Sequence, residues 1–260
     1  MSLFRKFLIL AAFLIAGALS ALAADTTYKP DGRESLTYRV MFKWGLINKK
    51  AGSATLTLRP TGDGGFVTTL TARSAPWADK FYAVRDTLRG HLSPGEWKPT
   101  FYEKIAHEGD EHKHDKVTYR REGAKVKADC VRKVWDKKGN LKIDETRELE
   151  AYGTTVDMLT SFFYMRSLPF QTWKPGHRTT INIFSGKQKE LLTIKYLGVE
   201  PVNLDGKSHD CYHITFIFTS KGGKKTSDDM DAWISADPSR IPLRMEGKLP
   251  VGKVHCLYEP

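Results

Sequence analysis

Cysteine is scarce. The 260 residues hold three, an odd number, so at most one internal disulfide can form and a disulfide-stapled scaffold is excluded. Beyond residue 23 no apolar run approaches the roughly 20 residues that a membrane-spanning helix needs, which leaves no helical span in the rest of the chain. Catalytic signatures are missing as well. There is no Gly-x-Ser-x-Gly elbow and no Ser-x-x-Lys, and Gly206-Lys207-Ser208 lacks the upstream glycine of a phosphate-binding loop. No internal repeat is visible. With 40% hydrophobic and 27% charged residues, the chain is too apolar to be disordered.

The charge is one-sided, with 41 Lys and Arg against 30 Asp and Glu. Arg5 and Lys6, the apolar run Phe7 to Leu19 and Ala21-Leu22-Ala23 before Ala24-Asp25 form the three-part pattern of a secretory signal. Cleavage is expected after Ala23, leaving 39 basic residues against 30 acidic ones. No cysteine stands at that point to accept a lipid anchor. The expected organisation is a signal peptide over 1–23, an extension over 24–33 and a single antiparallel β domain over 34–260. The expected location is the periplasm or the exterior, where nucleic acid is not a partner. Lys221-Gly222-Gly223-Lys224-Lys225-Thr226 is a basic loop, but its neighbours Phe216 and Phe218 alternate along a strand instead of interleaving with the charge.

Period-two alternation dominates. Leu36, Tyr38, Val40, Phe42 and Trp44 fall on one face of a strand, opposite Thr37, Arg39 and Lys43. Ala54, Leu56 and Leu58 repeat the pattern, and Thr61-Gly62-Asp63-Gly64-Gly65 is a turn before a third run at Phe66. Further β-like runs fall at 81–91, 97–106, 113–121, 124–135, 140–149, 178–184, 189–199, 209–219, 230–235, 241–247 and 252–258. Tyr212 to Phe218 is apolar on both faces and is expected to be covered on both. Short connections between these runs mean antiparallel hairpins. The one helix expected is 155–167, where Val156, Leu159, Phe162, Phe163 and Met165 recur at helical spacing and Thr154, Thr155 or Asp157 can cap the start. So many antiparallel strands cannot stay flat, so the fold class is all-β: a strongly curved half-barrel or barrel around one central helix.

Three ordered blocks resemble a known family. They are Tyr38-Arg39-Val40 through Trp44-Gly45-Leu46-Ile47 to Ala51-Gly52-Ser53-Ala54-Thr55-Leu56; Val156 to Arg166; and Ala232-Trp233-Ile234-Ser235-Ala236-Asp237-Pro238-Ser239-Arg240-Ile241-Pro242-Leu243-Arg244 with Gly252-Lys253-Val254. The chain is similar to the bacterial family called domain of unknown function 3108. That resemblance implies an exported envelope protein of curved antiparallel sheet, similar in fold to periplasmic lipoprotein-carrier half-barrels, and it implies no reaction. Asp237-Pro238 stands where the family pattern is expected to carry two acidic residues. Read physically, Gly45 and Gly52 suit a positive backbone angle or a close approach, Arg240-Ile241-Pro242 a turn, and Asp157 with Arg166 a helix cap and a helix-end charge.

The densest chemistry is His107-Glu108-Gly109-Asp110-Glu111-His112-Lys113-His114-Asp115. His107, His112 and His114 are the weak candidates for a metal site, since imidazoles beside carboxylates suit a divalent ion. The segment departs from the helical His-Glu-x-x-His pattern, and its simpler reading is a solvated hairpin tip. No catalytic residue, cofactor or ligand-binding residue is assigned. Cys211 and Cys256, both in C-terminal strand candidates, are the pair to test for a disulfide. The functional expectation is a non-enzymatic binding protein or carrier for an apolar ligand, such as a lipid or an acylated molecule. The alternatives are an envelope assembly or scaffold module acting through a protein partner, and a metal-dependent enzyme built on the histidines.

Overall fold

The computed structural model describes residues 28, 32–94, 96–220, 223–224 and 227–260. The signal-peptide reading, most of the 24–33 extension and most of the basic loop 221–226 lie outside the described residues. Fifteen strands form a single sheet: β1 (Glu34–Trp44), β2 (Ile47–Pro60), β3 (Phe66–Ser74), β4 (Val84–Leu92), β5 (Pro99–Glu108), β6 (Glu111–Glu122), β7 (Lys125–Asp136), β8 (Leu141–Tyr152), β9 (Thr155–Val156), β10 (Arg178–Phe184), β11 (Lys189–Leu204), β12 (Lys207–Ser220), β13 (Met230–Ser235), β14 (Pro242–Lys248) and β15 (Lys253–Glu259). The spatial order runs β8 back to β1, then β15 back to β9. The sheet is all antiparallel except where β9 meets β10.

This order is a meander folded on itself. β1 pairs with β15, so the two ends of the described chain meet in mid-sheet, and β8 and β9, adjacent in sequence, become the two margins. Side chains bridge the margins: Asn182 Nδ2 donates to the carbonyls of Tyr152 and Thr154, and Lys189 Nζ to that of Glu150. The result is a nearly closed barrel with one interior. Hence β12 from Tyr212 to Phe218 is buried on one face only. Tyr212, Ile214, Phe216 and Phe218 point inward while Ile217 stays half-exposed outside, contrary to the expectation of two covered faces.

Two short helices interrupt the strands. α1 (Pro76–Tyr82) lies between β3 and β4, where the sequence pattern predicts no helix. α2 (Thr160–Arg166) is the expected central helix, shortened because Thr155–Val156 is strand. Asp157 starts it: Oδ1 accepts the backbone N–H of Leu159 at 2.9 Å and of Thr160 at 2.7 Å, while Oδ2 accepts Thr160 Oγ1 at 2.9 Å. Phe162, Phe163 and Met165 of α2 are buried in the one continuous core that also takes inward residues from both halves of the sheet. Gly45 takes φ +54° in its turn. Gly52 serves a close approach instead: a Cβ there would run into the Arg73 carbonyl of β3.

Candidate functional site

The barrel has two chemically different ends. At one, the chain leaves β8, adds β9 to the margin of the sheet, carries α2 into the interior, and closes over with aromatic rings. Tyr28 stacks on Trp97 and Trp97 on Phe163, with centroids 5.6 and 5.2 Å apart. Within this stack lies Arg166, the expected helix-end charge, which is wholly buried. Its Nη1 and Nη2 donate to Glu34 at 2.6 and 2.5 Å, Nε to the Arg240 carbonyl at 2.9 Å and Nη2 also to the Ser239 carbonyl at 3.0 Å. Tyr28 lies 3.9 Å from the guanidinium. Burial works against the Arg166 cation, but the Glu34 bonds hold its pKa above the ordinary arginine value. Arg240, also buried, turns the chain at φ +46° and lies over the ring of Tyr212. Asp237 accepts the Ser239 backbone N–H at 2.8 Å within the same turn.

At the other end, where the hairpins of β5–β6, β7–β8 and β10–β11 gather, the interior turns ionic. Asp86 of β4, Lys104 and Glu108 of β5, Lys113 and Asp115 of β6 and Arg132 of β7 all take inward positions. Register places Asp115 opposite both Lys104 and Arg132. Glu108 receives Lys104 and Lys113 at 2.8 Å each, and Arg132 Nη1 lies 2.8 and 3.0 Å from the two oxygens of Asp115. Asp86 accepts the His107 backbone N–H at 3.0 Å; its buried Oδ2 meets no donor among the described residues, and a side-chain bond to Glu108 forms only when one of the two carboxyls holds a proton. Burial, with the Glu108 charge beside it, pushes Asp86 up to about 7. Glu108 is also buried, yet its two ammonium partners hold it down at about 2. Chemically this is a compact ionic lattice with one carboxyl able to gain or lose a proton near neutrality.

The His107–Asp115 segment is therefore more than a solvated tip. It does form the β5–β6 turn, with Gly109 at φ +61°, but Glu108 and Asp115 are buried in the lattice, and β5 and β6 lie inside the sheet, not at its margin. The histidines face outward and separate. His107 and His112 are cross-strand neighbours with ring centroids 3.6 Å apart, whereas His114 Nε2 lies 2.8 Å from Glu103. Burial, then the neighbouring imidazoles, lowers the pKa of His112. Among the described residues no group of three or more His, Cys, Asp or Glu side chains is placed to hold a metal ion.

Cys130, Cys211 and Cys256 are free and buried. Strands β13 and β14 separate β12 from β15, so with strands about 4.8 Å apart the Cys211–Cys256 pair is beyond the roughly 7 Å reach of a disulfide. Burial pushes the Cys130 thiol up to about 12 and raises the other two further. Among the described residues no helix is long and apolar enough to cross a membrane.

A nearly closed antiparallel barrel, plugged at one end by an internal helix and lined at the other by ion pairs, defines the class of this molecule. The chain belongs to the family described as "Protein of unknown function (DUF3108)", whose model matches residues 37–256. No curated protein gives a match. Among solved structures it is similar to a β-barrel-like protein of domain of unknown function DUF1849 from Brucella abortus, with 12% identity over 86% of this chain and 94% of that one and a TM-score of 0.57. It also aligns with a protein from Bacteroides fragilis described as exported, with a YmcC-like fold. That alignment has 8% identity, covers 96% of this chain and all of the other, and has a TM-score of only 0.36, too low to carry an argument. The first likeness establishes a shared barrel architecture and nothing about activity.

Proposed function

We propose that this chain is an exported, non-enzymatic envelope protein that works from its outer surface, as an assembly or scaffold module. The observation supporting this reading is the placement of α2. Phe162, Phe163 and Met165 occupy interior space that an apolar ligand would need, and Arg166 fastens the helix to β1 and to the β13–β14 turn. To carry a lipid or acylated ligand inside, the barrel would have to expel a helix held by charge-assisted bonds, which are about twice as strong as neutral ones. Export rests on the leader pattern in the first 23 residues.

Native mass spectrometry of the protein released gently from the envelope tests the reading. The expected result is the mass of the bare polypeptide under conditions that preserve the fold. A stoichiometric apolar adduct, lost only on unfolding, would overturn it in favour of a carrier.

A further inference from the structure

The ionic lattice end also carries a row of aligned lysines on its outer face. Lys253 of β15 is directly opposite Lys43 of β1 on one side and Lys248 of β14 on the other. Three lysines thus stand in a row across three strands, although like charges directly opposite one another destabilise a sheet. No acidic residue occurs in 43–50 or 248–253. Carboxylates stand only at the border of the row: Asp228 and Asp229 immediately precede Met230, which pairs with Gly247 next to Lys248, Glu259 pairs with Lys50, and Glu246 is held by Arg244 and His255.

Just past this row the chain presents apolar side chains to solvent. Trp44, Leu46 and Ile47 form the β1–β2 tip and Val251 the β14–β15 tip; Leu46 is fully exposed. The two tips touch, since a Cβ on Gly252 would lie 3.1 Å from that of Trp44. Helix α1 extends the patch. Trp77 Nε1 donates to the Lys50 carbonyl at 2.7 Å, Lys49 Nζ lies 4.7 Å above its ring, and Phe81 beside it is 83% exposed.

We propose that these tips dock on an anionic phospholipid bilayer, with Trp44, Leu46 and Val251 among the headgroups and the lysine row against the phosphates. This deepens the surface-acting reading and rests on it. Aromatic and aliphatic tips flanked by lysine match the interfacial layer of a membrane. Protein interface cores, by contrast, are depleted in lysine. An anionic surface also relieves the repulsion that Lys43, Lys253 and Lys248 impose on one another.

Flotation of the processed protein with phosphatidylcholine vesicles, with and without phosphatidylglycerol, decides the matter. Binding is expected only with the anionic lipid and should weaken as salt rises. Lys253→Glu removes two units of charge, and at about fivefold per unit it should weaken binding about 25-fold. The same change puts opposite charges beside Lys43 and Lys248, so the fold should become more stable, which separates lost docking from unfolding. Leu46→Asn should weaken binding by about tenfold, even at low salt. Equal binding to neutral vesicles, undiminished binding by Lys253→Glu, or no binding together with capture of one defined protein by a photo-crosslinker at position 46 would each overturn the proposal. The last result would leave the surface-acting reading intact, and an interior ligand seen by mass spectrometry would remove that reading independently.

Discussion

Arg166 and Glu34, 132 residues apart in sequence, meet through two hydrogen bonds of 2.6 and 2.5 Å that tie the internal helix to the first strand. The guanidinium is completely buried and the carboxylate retains some solvent. Breaking a buried pair by removing one partner costs about 3–5 kcal/mol. Glu34→Ala should therefore lie at the upper end, because it strands the buried cation, and Arg166→Met at the lower end. Urea denaturation of both variants checks the order; equal, sub-kilocalorie losses would show that the pair does not anchor α2.

Asp86 makes stability depend on pH in an unusual direction. Its folded pKa of about 7 lies above the ordinary aspartate value of about 3.9. Between these values the folded state holds a proton that the unfolded chain releases, so this residue's contribution is full below about pH 4 and is lost as pH rises towards 7. Asp86→Asn keeps an oxygen for the His107 N–H and fixes a neutral group beside Glu108. Thermal melts from pH 4 to pH 8 should show a shallower decline for the variant and a higher melting temperature at pH 8. An unchanged slope would remove Asp86 as the source.

Two glycines with different duties should respond differently. At Gly52 an added methyl meets the Arg73 backbone, whereas Gly123 has open space around it and needs only its φ of +62°. Gly123→Ala should cost about 1–2 kcal/mol from the left-handed backbone. Gly52→Ala should cost more, since β2 and β3 must separate to admit it. Chemical denaturation supplies the comparison, and the reverse order would contradict the β2–β3 register.

Three buried thiols should be inert. Cys130, Cys211 and Cys256 should all resist a water-soluble thiol reagent in the native state and react together on unfolding, and intact mass should be the same with and without reductant. Cys211→Ser and Cys256→Ser should not show the matched loss that removal of a shared disulfide would produce. Rapid labelling of any one thiol in the folded protein would contradict its burial.

Period-two alternation locates nearly every strand of this barrel, because a single interior demands that inward positions be apolar and outward ones polar. The same logic hides the ionic lattice. Lys104 and Glu108 share a face with Tyr102 and Ala106, and Lys113 and Asp115 with Val117, yet lone polar residues read as solvated until the neighbouring strands supply their partners. α1 is not legible in the sequence because seven residues give too few turns for a helical period. The pairing of β1 with β15 was equally hidden, since no local pattern specifies which distant strand will close a sheet. The surface tips are visible as apolar letters, but only the register reveals that their lysines are aligned.

That pairing of β1 with β15 also bears on how the sheet can assemble. The amino-terminal strands can zip into hairpins as soon as each is available, but β1 keeps an open edge until the final strand arrives, and β14 and β13 can be seated beside it only through that strand. Contacts between residues this far apart in sequence are slow to form. Until β15 is in place the sheet has an unpaired edge at its middle, and that edge is where misassembly is to be expected.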